Sequence, residues 1–324
     1  MSRPGPHLAF GVYPLGVAGT PEGLATGPPD AYEKVRAALN DLSGRVAPRT
    51  YLVDMEPGGE EAVLELADRY RDLGLLGHVV LGCMRDEGFD LDRWSDLVRT
   101  IVARHGRRLS SLQITNEPNL SFMDGAKPYV YDALVAGVIA AKNEARRRGL
   151  PLEVGFGSVP QSPVALPEFW PELRDRGGPE LADAVDFVGH NFYVDVFEEP
   201  VEPNLLPRRV AGLLHDVRSR DLPSAGIPST VSLRVTENGW PTGVNPMTGA
   251  VRSDAQQATV IETIVRTVHG LARSHNITHY MLFGLRDADS AKSDLFHQFG
   301  IMRDDYTPKP AYARFKALVA ELGS

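Results

Sequence analysis

The sequence predicts an α/β fold, a single (β/α)8 (TIM) barrel domain spanning residues 1–324. Three observations predict it. Short apolar runs alternate with longer segments of helical period along the whole chain. Eight such pairs follow one another. The turn after the first run reads VYPLGVAGTPEG, which lacks the GxGxxG phosphate turn that a doubly wound sheet would usually carry. No low-complexity linker or compositional shift divides the 324 residues, and α/β barrels of roughly 250 residues fold as one unit.

The predicted strands are HLAFGVYPLG (7–16), RTYLVDMEP (49–57), GHVVLGCMR (77–85), SSLQITNEP (110–118), LEVGFGSVP (152–160), VDFVGHNFYVD (185–195), TVSLRVTENGW (230–240) and THYMLFGLRD (278–287). Several are almost continuously apolar, as strands covered on both faces should be. Apolar residues at spacings of three and four predict helices over 31–45, 60–74, 91–106, 129–149, 254–275 and 310–323. The same pattern is weaker over 169–178 and 205–221. Arg146–Gly149 and Arg176–Gly178 read as helix C-termini, where cations complement the negative end of the helix and Gly ends it. The Gly/Pro-rich pieces 19–30 and 241–250 follow the first and seventh strands and read as loops at the barrel top.

Composition narrows the function. Hydrophobic residues at 43% and charged residues at 23% are ordinary globular values. Lys and Arg total 34 against 42 Asp and Glu, a net charge of −8. That argues against a nucleic-acid partner, which needs a basic surface to displace counterions. The single cysteine, Cys83, excludes an internal disulfide and a Cys-rich zinc site. The first residues show no charged segment followed by the roughly 7–15-residue apolar run of a signal peptide. No stretch approaches the roughly 18 apolar residues of a membrane span. A cytoplasmic protein without a membrane partner is expected. No metal is expected either: His7 stands alone on the first strand, and HxH and HExxH are absent. A GxSxG nucleophile elbow is also absent.

Barrels of this kind carry their chemistry at the C-terminal ends of the strands. Strand four ends Thr115-Asn116-Glu117-Pro118, and strand seven ends Thr236-Glu237-Asn238-Gly239-Trp240. Strand six ends His190-Asn191-Phe192-Tyr193, and strand eight ends Arg286-Asp287. Two glutamates are thus expected at one rim. Two carboxyl groups facing one site are the minimal equipment for breaking a glycosidic bond, one protonated to release the leaving oxygen and one ionised. A separation of about 5–5.5 Å gives retention through a covalent intermediate, and a wider gap gives inversion. Repulsion and desolvation should raise the pKa of the carboxyl that stays protonated. Either motif alone reads equally as a turn with a helix cap; their joint occurrence on strands four and seven points to catalysis.

ITNEPN (114–119) and VTENGWPT (235–242) resemble the two catalytic strand ends of the glycoside hydrolase clan A barrels, including families 1, 5 and 39. VGHNFY (188–193) resembles their sixth strand, and FGIMRDDYTPKPAYARFKAL (299–318) resembles the way many of them leave strand eight and enter the last helix. The resemblance implies a retaining glycoside hydrolase that cleaves β-glycosidic bonds of an oligosaccharide or small glycoside without a cofactor. It implies Glu117 as general acid/base and Glu237 as nucleophile. Asn116 matches the residue that hydrogen-bonds the sugar 2-hydroxyl, and Tyr193 the tyrosine whose hydroxyl touches the nucleophile. Asn191, His190, Trp240, Arg85 and Arg286 are further substrate-binding candidates.

Bland readings stand beside these. Strand residues alternate faces, so His190 and Tyr193 cannot both point inward without a bend. Tyr193 is the better site residue, and His190 reads equally as a core histidine. Trp240 reads equally as packing for the barrel top. Arg85 and Asp86, Asp54 and Glu56, and Arg286 and Asp287 read equally as charged groups supporting the rim. Tyr13, Phe122, Trp170 and Phe197 are placed on loops that border a cleft or pack locally. Where many clan members have a tryptophan near the end of strand eight, this run is MLFGLRDAD, with Phe283 the nearest aromatic. Two alternatives share the same residues: a transglycosidase, which passes the sugar to a hydroxyl acceptor, and a catalytically inactive carbohydrate-binding barrel. The sugar, the linkage and the oligomeric state have no signature in the sequence.

Overall fold

Val, Ile, Leu and Phe fill the predicted strands, and in the computed structural model these runs become short strands buried on both faces. The structure describes residues 7–20, 23–56, 58–246 and 248–323. Pro57, at the end of the second predicted run, lies outside the described residues, as do Pro21, Glu22 and Met247 of the two predicted loops. The barrel strands are β1 (Ala9–Val12), β2 (Ala47–Asp54), β3 (His78–Cys83), β4 (Ser111–Ile114), β5 (Glu153–Phe156), β6 (Phe187–Asn191), β7 (Ser232–Asn238) and β8 (Ile277–Leu282). They form a closed barrel in the order β1-β8-β7-β6-β5-β4-β3-β2. The helices that follow them in turn are α1 (Tyr32–Asp41), α2 (Glu60–Leu73), α3 (Leu91–His105), α4 (Val130–Arg147), α5 (Phe169–Ala184), α6 (Leu206–Asp216), α7 (Asp254–His275) and α8 (Pro310–Leu322). Among the described residues no helix is long and apolar enough to cross a membrane.

Local signals explain most boundaries. Ser253 and Gln256 close a capping box at the head of α7, satisfying N–H groups that the first turn leaves free. The Asp90 side chain accepts from Arg93 N at the head of α3. Two segments depart from expectation. The helix predicted to stop at Gly178 bends there (φ 55°, ψ −156°) and continues to Ala184. Pro179 fits because it opens the second segment, where its missing N–H has no helical partner to lose. The expected loop 19–30 contains part of a hairpin, Val17–Thr20 paired antiparallel with Gly23–Thr26.

The chain gathers into two compact units. The first comprises Met1–Pro48, Phe192–Leu214 and Val235–Ser324. Here β1 pairs parallel with β8, Ala9 opposite His279 through Val12 opposite Leu282. Phe10 meets Phe315 of α8 edge-on at 5.7 Å. Tyr312 Oη donates to Asp41 Oδ2 at 2.9 Å.

The second unit comprises Arg49–Asn191 and His215–Arg234. Parallel registers run from Arg49 opposite His78, through His78 opposite Ser111 and Ser111 opposite Glu153, to Gly155 opposite Phe187. Helix α3 buries Trp94, Leu97, Val98, Ile101 and Val102; each such aliphatic side chain contributes about 1.5–3 kcal/mol when fully buried. Trp94 Nε1 donates to Ala133 O at 2.8 Å. A Cβ at position 137 of α4 would lie 2.8 Å from Ile114 Cγ2 and 2.9 Å from Trp94 Nε1, so glycine is what lets α4 approach β4 and α3 this closely.

Candidate active site

In the second unit, the turn after β4 carries Asn116 and Glu117. Thr115 has φ 59°, a left-handed conformation that a β-branched residue adopts only when its surroundings impose it. They do so here. Thr115 N donates to Leu81 O at 2.9 Å, and Gln113 Nε2 donates to Thr115 O at 2.8 Å. Asn116 N donates to Asp124 Oδ2 at 2.8 Å. A Cβ at position 157 would fall 1.8 Å from Asn116 O, so the glycine beyond β5 makes room for the turn. Asn119 exchanges two 2.8 Å bonds with the Val159 backbone. Glu117, 8% exposed, follows this locked turn. Asn191 Nδ2 donates to Glu117 Oε1 at 3.1 Å and to Asn116 Oδ1 at 3.3 Å. Asn116, Glu117 and Asn191, three of the expected site residues, are thus in contact.

In the first unit, Glu237 is the penultimate residue of β7 and is also 8% exposed. Tyr193 Oη donates to its Oε1 at 2.6 Å. Phe192 N donates to Glu237 O at 3.1 Å. Asn238 Nδ2 donates to Phe192 O at 2.7 Å, and Tyr280 Oη donates to Asn238 Oδ1 at 2.6 Å, which fixes the backbone on either side of the glutamate. Tyr193 is edge-on to Phe197 and Phe299, each 5.6 Å between centroids, and to Phe283 at 6.5 Å. Tyr13 stacks on Phe283 at 4.9 Å. The arrangement is a carboxylate with a strong hydroxyl donor, backed by aromatic rings. A hydrogen bond to a charged group contributes about 1.5–3 kcal/mol. Tyr193→Phe is therefore expected to lower kcat about 10–150-fold, with circular dichroism and melting temperature close to wild type because the ring stays among its aromatic neighbours.

Several of the expected substrate-binding residues are buried and have protein partners in the structure. Register places Phe156 opposite Val188 and Gly155 opposite Phe187, so His190 shares a face with Val188 and Asn191 shares one with Phe187. His190 is fully buried, its Nδ1 lies 2.9 Å from Ser158 Oγ, and burial pushes its pKa down to about 3. It is a neutral core histidine. Arg85 is buried, with Nε 2.7 Å from Asp54 Oδ2 and Nη2 2.9 Å from Glu60 Oε1. Arg286 is buried against Asp30 Oδ1 at 2.8 Å and donates to Pro28 O at 3.0 Å. Trp240 is buried, donates to Asp195 Oδ2 at 3.1 Å and lies beneath the Arg252 guanidinium. Each of these three side chains thus has protein partners for polar atoms. Trp170 is not on a loop: it packs inside α5 against Phe169 and Phe156. Asp86 and Glu56 are exposed, and Asp86 meets Lys127 Nζ at 2.5 Å.

Asp287 forms a fully buried pair with Lys309, Nζ to Oδ1 2.8 Å. Lys309 Nζ also donates to Thr242 Oγ1 at 3.0 Å, and Ser290 Oγ donates to Asp287 Oδ2 at 2.8 Å. Burial pushes Asp287 up and Lys309 down, so desolvation outweighs their attraction. Such a pair adds little over an apolar contact, but removing one partner strands the other charge. Lys309→Ala is expected to cost about 3–5 kcal/mol of unfolding free energy, read by urea denaturation.

Asp124, Ser158, Asp195 and Phe299 had not been singled out by sequence pattern. Phe299 opens the tail motif 299–318, the one signal that pointed toward it. The other three act through residues distant in the chain or through backbone atoms, which leave no pattern.

No family model matches the chain, and no curated protein sequence matches it. Solved structures do, among them glycoside hydrolases and a β-1,3-glucanosyltransferase. A family 1 β-glucosidase from Thermotoga maritima in complex with isofagomine lactam aligns at TM-score 0.60 and 15% identity, covering 99% of this chain and 98% of that one. A family 39 glycoside hydrolase from Bacteroides cellulosilyticus WH2 aligns at 0.56 and 18%, covering 98% of this chain and 64% of that one. An active-site mutant of Rhizomucor miehei β-1,3-glucanosyltransferase in complex with laminaritriose aligns at 0.55 and 15%, covering 93% and 96%. At this identity the likeness establishes the shared (β/α)8 fold.

Proposed function

We propose that this chain is a retaining β-glycosidase or short-chain β-glycanase acting on an oligosaccharide or small glycoside. The observation that carries the reading is that residues 191–193, at the end of β6, supply a donor to each strand-end glutamate: Asn191 to Glu117 and Tyr193 to Glu237. The two glutamates therefore have different surroundings, as different roles require. Glu117 accepts an amide N–H on Oε1, which orients the carboxyl assigned here as the acid. Glu237 accepts a hydroxyl from Tyr193, which orients the carboxyl assigned here as the nucleophile. In this mechanism Glu117 protonates the glycosidic oxygen as Glu237 attacks the anomeric carbon. Glu117 then deprotonates the water that releases the sugar from Glu237. Asn116 is assigned to the sugar 2-hydroxyl, where a bond that tightens in the transition state contributes several kcal/mol.

The neighbouring structures support a carbohydrate substrate, being a β-glucosidase with isofagomine lactam and a β-1,3-glucanosyltransferase with laminaritriose. The second of these favours an additional reading, transfer of the sugar to a hydroxyl acceptor by the same carboxylates. A panel of aryl β-glycosides tests the proposal. Turnover of at least one is expected, and sugar binding without turnover leaves only a binding barrel. Adding an oligosaccharide acceptor separates the two reactions by the ratio of transfer product to free sugar.

A further inference from the structure

We propose that Asp124 is a positioning residue for the catalytic turn after β4: it clamps the Asn116 N–H and thereby sets where the Asn116 amide and the Glu117 carboxyl stand, a role that rests on the reading of Glu117 as the acid. Asp124 is fully buried and opens a short 3-10 turn, Asp124–Ala126. The loop from Glu117 is coiled tightly enough to present this carboxylate inward. A Cβ at position 125 would lie 2.6 Å from Leu120 O and 2.7 Å from Pro118 O. On the β3 side the carboxylate faces the bare backbone of Gly82, where a Cβ would stand 3.7 Å from Asp124 Oδ2. The bond from Asn116 N holds a turn that begins at the left-handed Thr115. Without it a backbone donor beside the catalytic residue loses its partner.

The choice of aspartate is what points to function. A neutral amide oxygen would also accept from Asn116 N, but a carboxylate makes a bond roughly twice as strong. The stronger bond has a cost in stability. Burial pushes the Asp124 pKa up to about 6, against the opposing pull of the Asn116 N–H and Lys127. Since the folded pKa lies above the unfolded one, the group destabilises the fold at pH 7, and that penalty is relieved progressively as pH falls from about 6 to below the ordinary carboxylate range. The titratable groups around it are few. Lys127, from the same turn, pairs with Asp86. Tyr129, at the head of α4, donates to Arg85 O at 2.6 Å, and the Cys83 thiol lies 3.8 Å from its hydroxyl. Burial raises both Cys83 and Tyr129, so they stay neutral in this range. Asp54 is held by Arg85.

Asp124→Asn keeps an acceptor and removes the charge. At pH 7 its kcat is expected to fall about tenfold with KM within about twofold, and Asp124→Ala about a hundredfold, the loss that a misplacement of about 1 Å produces. The melting temperature of Asp124→Asn at pH 7 should equal or exceed that of wild type. Wild-type kcat should show a partial step near pH 6 that is absent from Asp124→Asn. The Asn116 amide resonance, followed by NMR, should titrate near pH 6 in wild type and not in the variant, a readout that needs no substrate. Wild-type kcat in folded Asp124→Asn overturns the proposal. So does a loss confined to KM, or an Asn116 amide that does not titrate. If wild type turns over no glycoside while the amide does titrate, the glycosidase reading has failed and the catalytic role of the clamp falls with it. If wild type is active and only the Asp124 results fail, the clamp alone is wrong.

Discussion

Glu237→Ala is expected to lower turnover of an aryl β-glycoside by at least about 10⁴-fold, as removal of a covalent nucleophile does elsewhere. The variant is also expected to regain activity with added azide. Glu237 is a buried carboxylate with one hydroxyl donor at 2.6 Å and a fixed backbone on both sides, so truncation to Ala leaves room beside an otherwise unchanged wall. Azide entering that room attacks the anomeric carbon from the face the carboxylate used. One displacement replaces two, and the product is a glycosyl azide of inverted configuration. The configuration makes the test specific. Undiminished activity in Glu237→Ala removes the nucleophile assignment, and rescue giving a retained azide removes the single-displacement account.

The second large effect is expected at Glu117, and it depends on the leaving group. A general acid contributes about 10²–10⁴-fold, but only where the departing oxygen needs its proton. Glu117→Ala should therefore be severely impaired on alkyl glycosides and oligosaccharides. On a dinitrophenyl glycoside, whose leaving group departs as a stable anion, glycosylation should be nearly unimpaired. The intermediate then accumulates, because water has lost its base, and a burst of dinitrophenolate precedes slow turnover. Equal losses on both substrates would show that Glu117 holds structure and does not transfer a proton.

Much of the architecture was legible from local pattern. Helix α7 spans Asp254–His275, the range its periodicity predicts, and α3 spans Leu91–His105 against a predicted 91–106. Glu117 and Glu237 stand at the strand ends where the motifs put them. The environment of each side chain was much less legible. His190 and Asn191 are adjacent, and only the register of β6 against β5 decides which faces which way. Arg85 and Arg286 had the right types for sugar contacts, yet Asp54, Glu60 and Asp30 claim them. The aromatic wall behind Tyr193 gathers rings from position 13, from 283 and from 299, and chain separations of that size carry no period.

By itself the sequence determined the alternation of strands and helices and the positions of the two glutamates. These follow from the backbone's own repeat and from residues within a turn of one another. Only the tertiary structure decided which polar groups are left for a substrate and which are consumed by the protein. Burial strips water from every polar atom and forces it to find a partner, and that partner is chosen by three-dimensional proximity, as Asp124 is chosen by the backbone of Asn116.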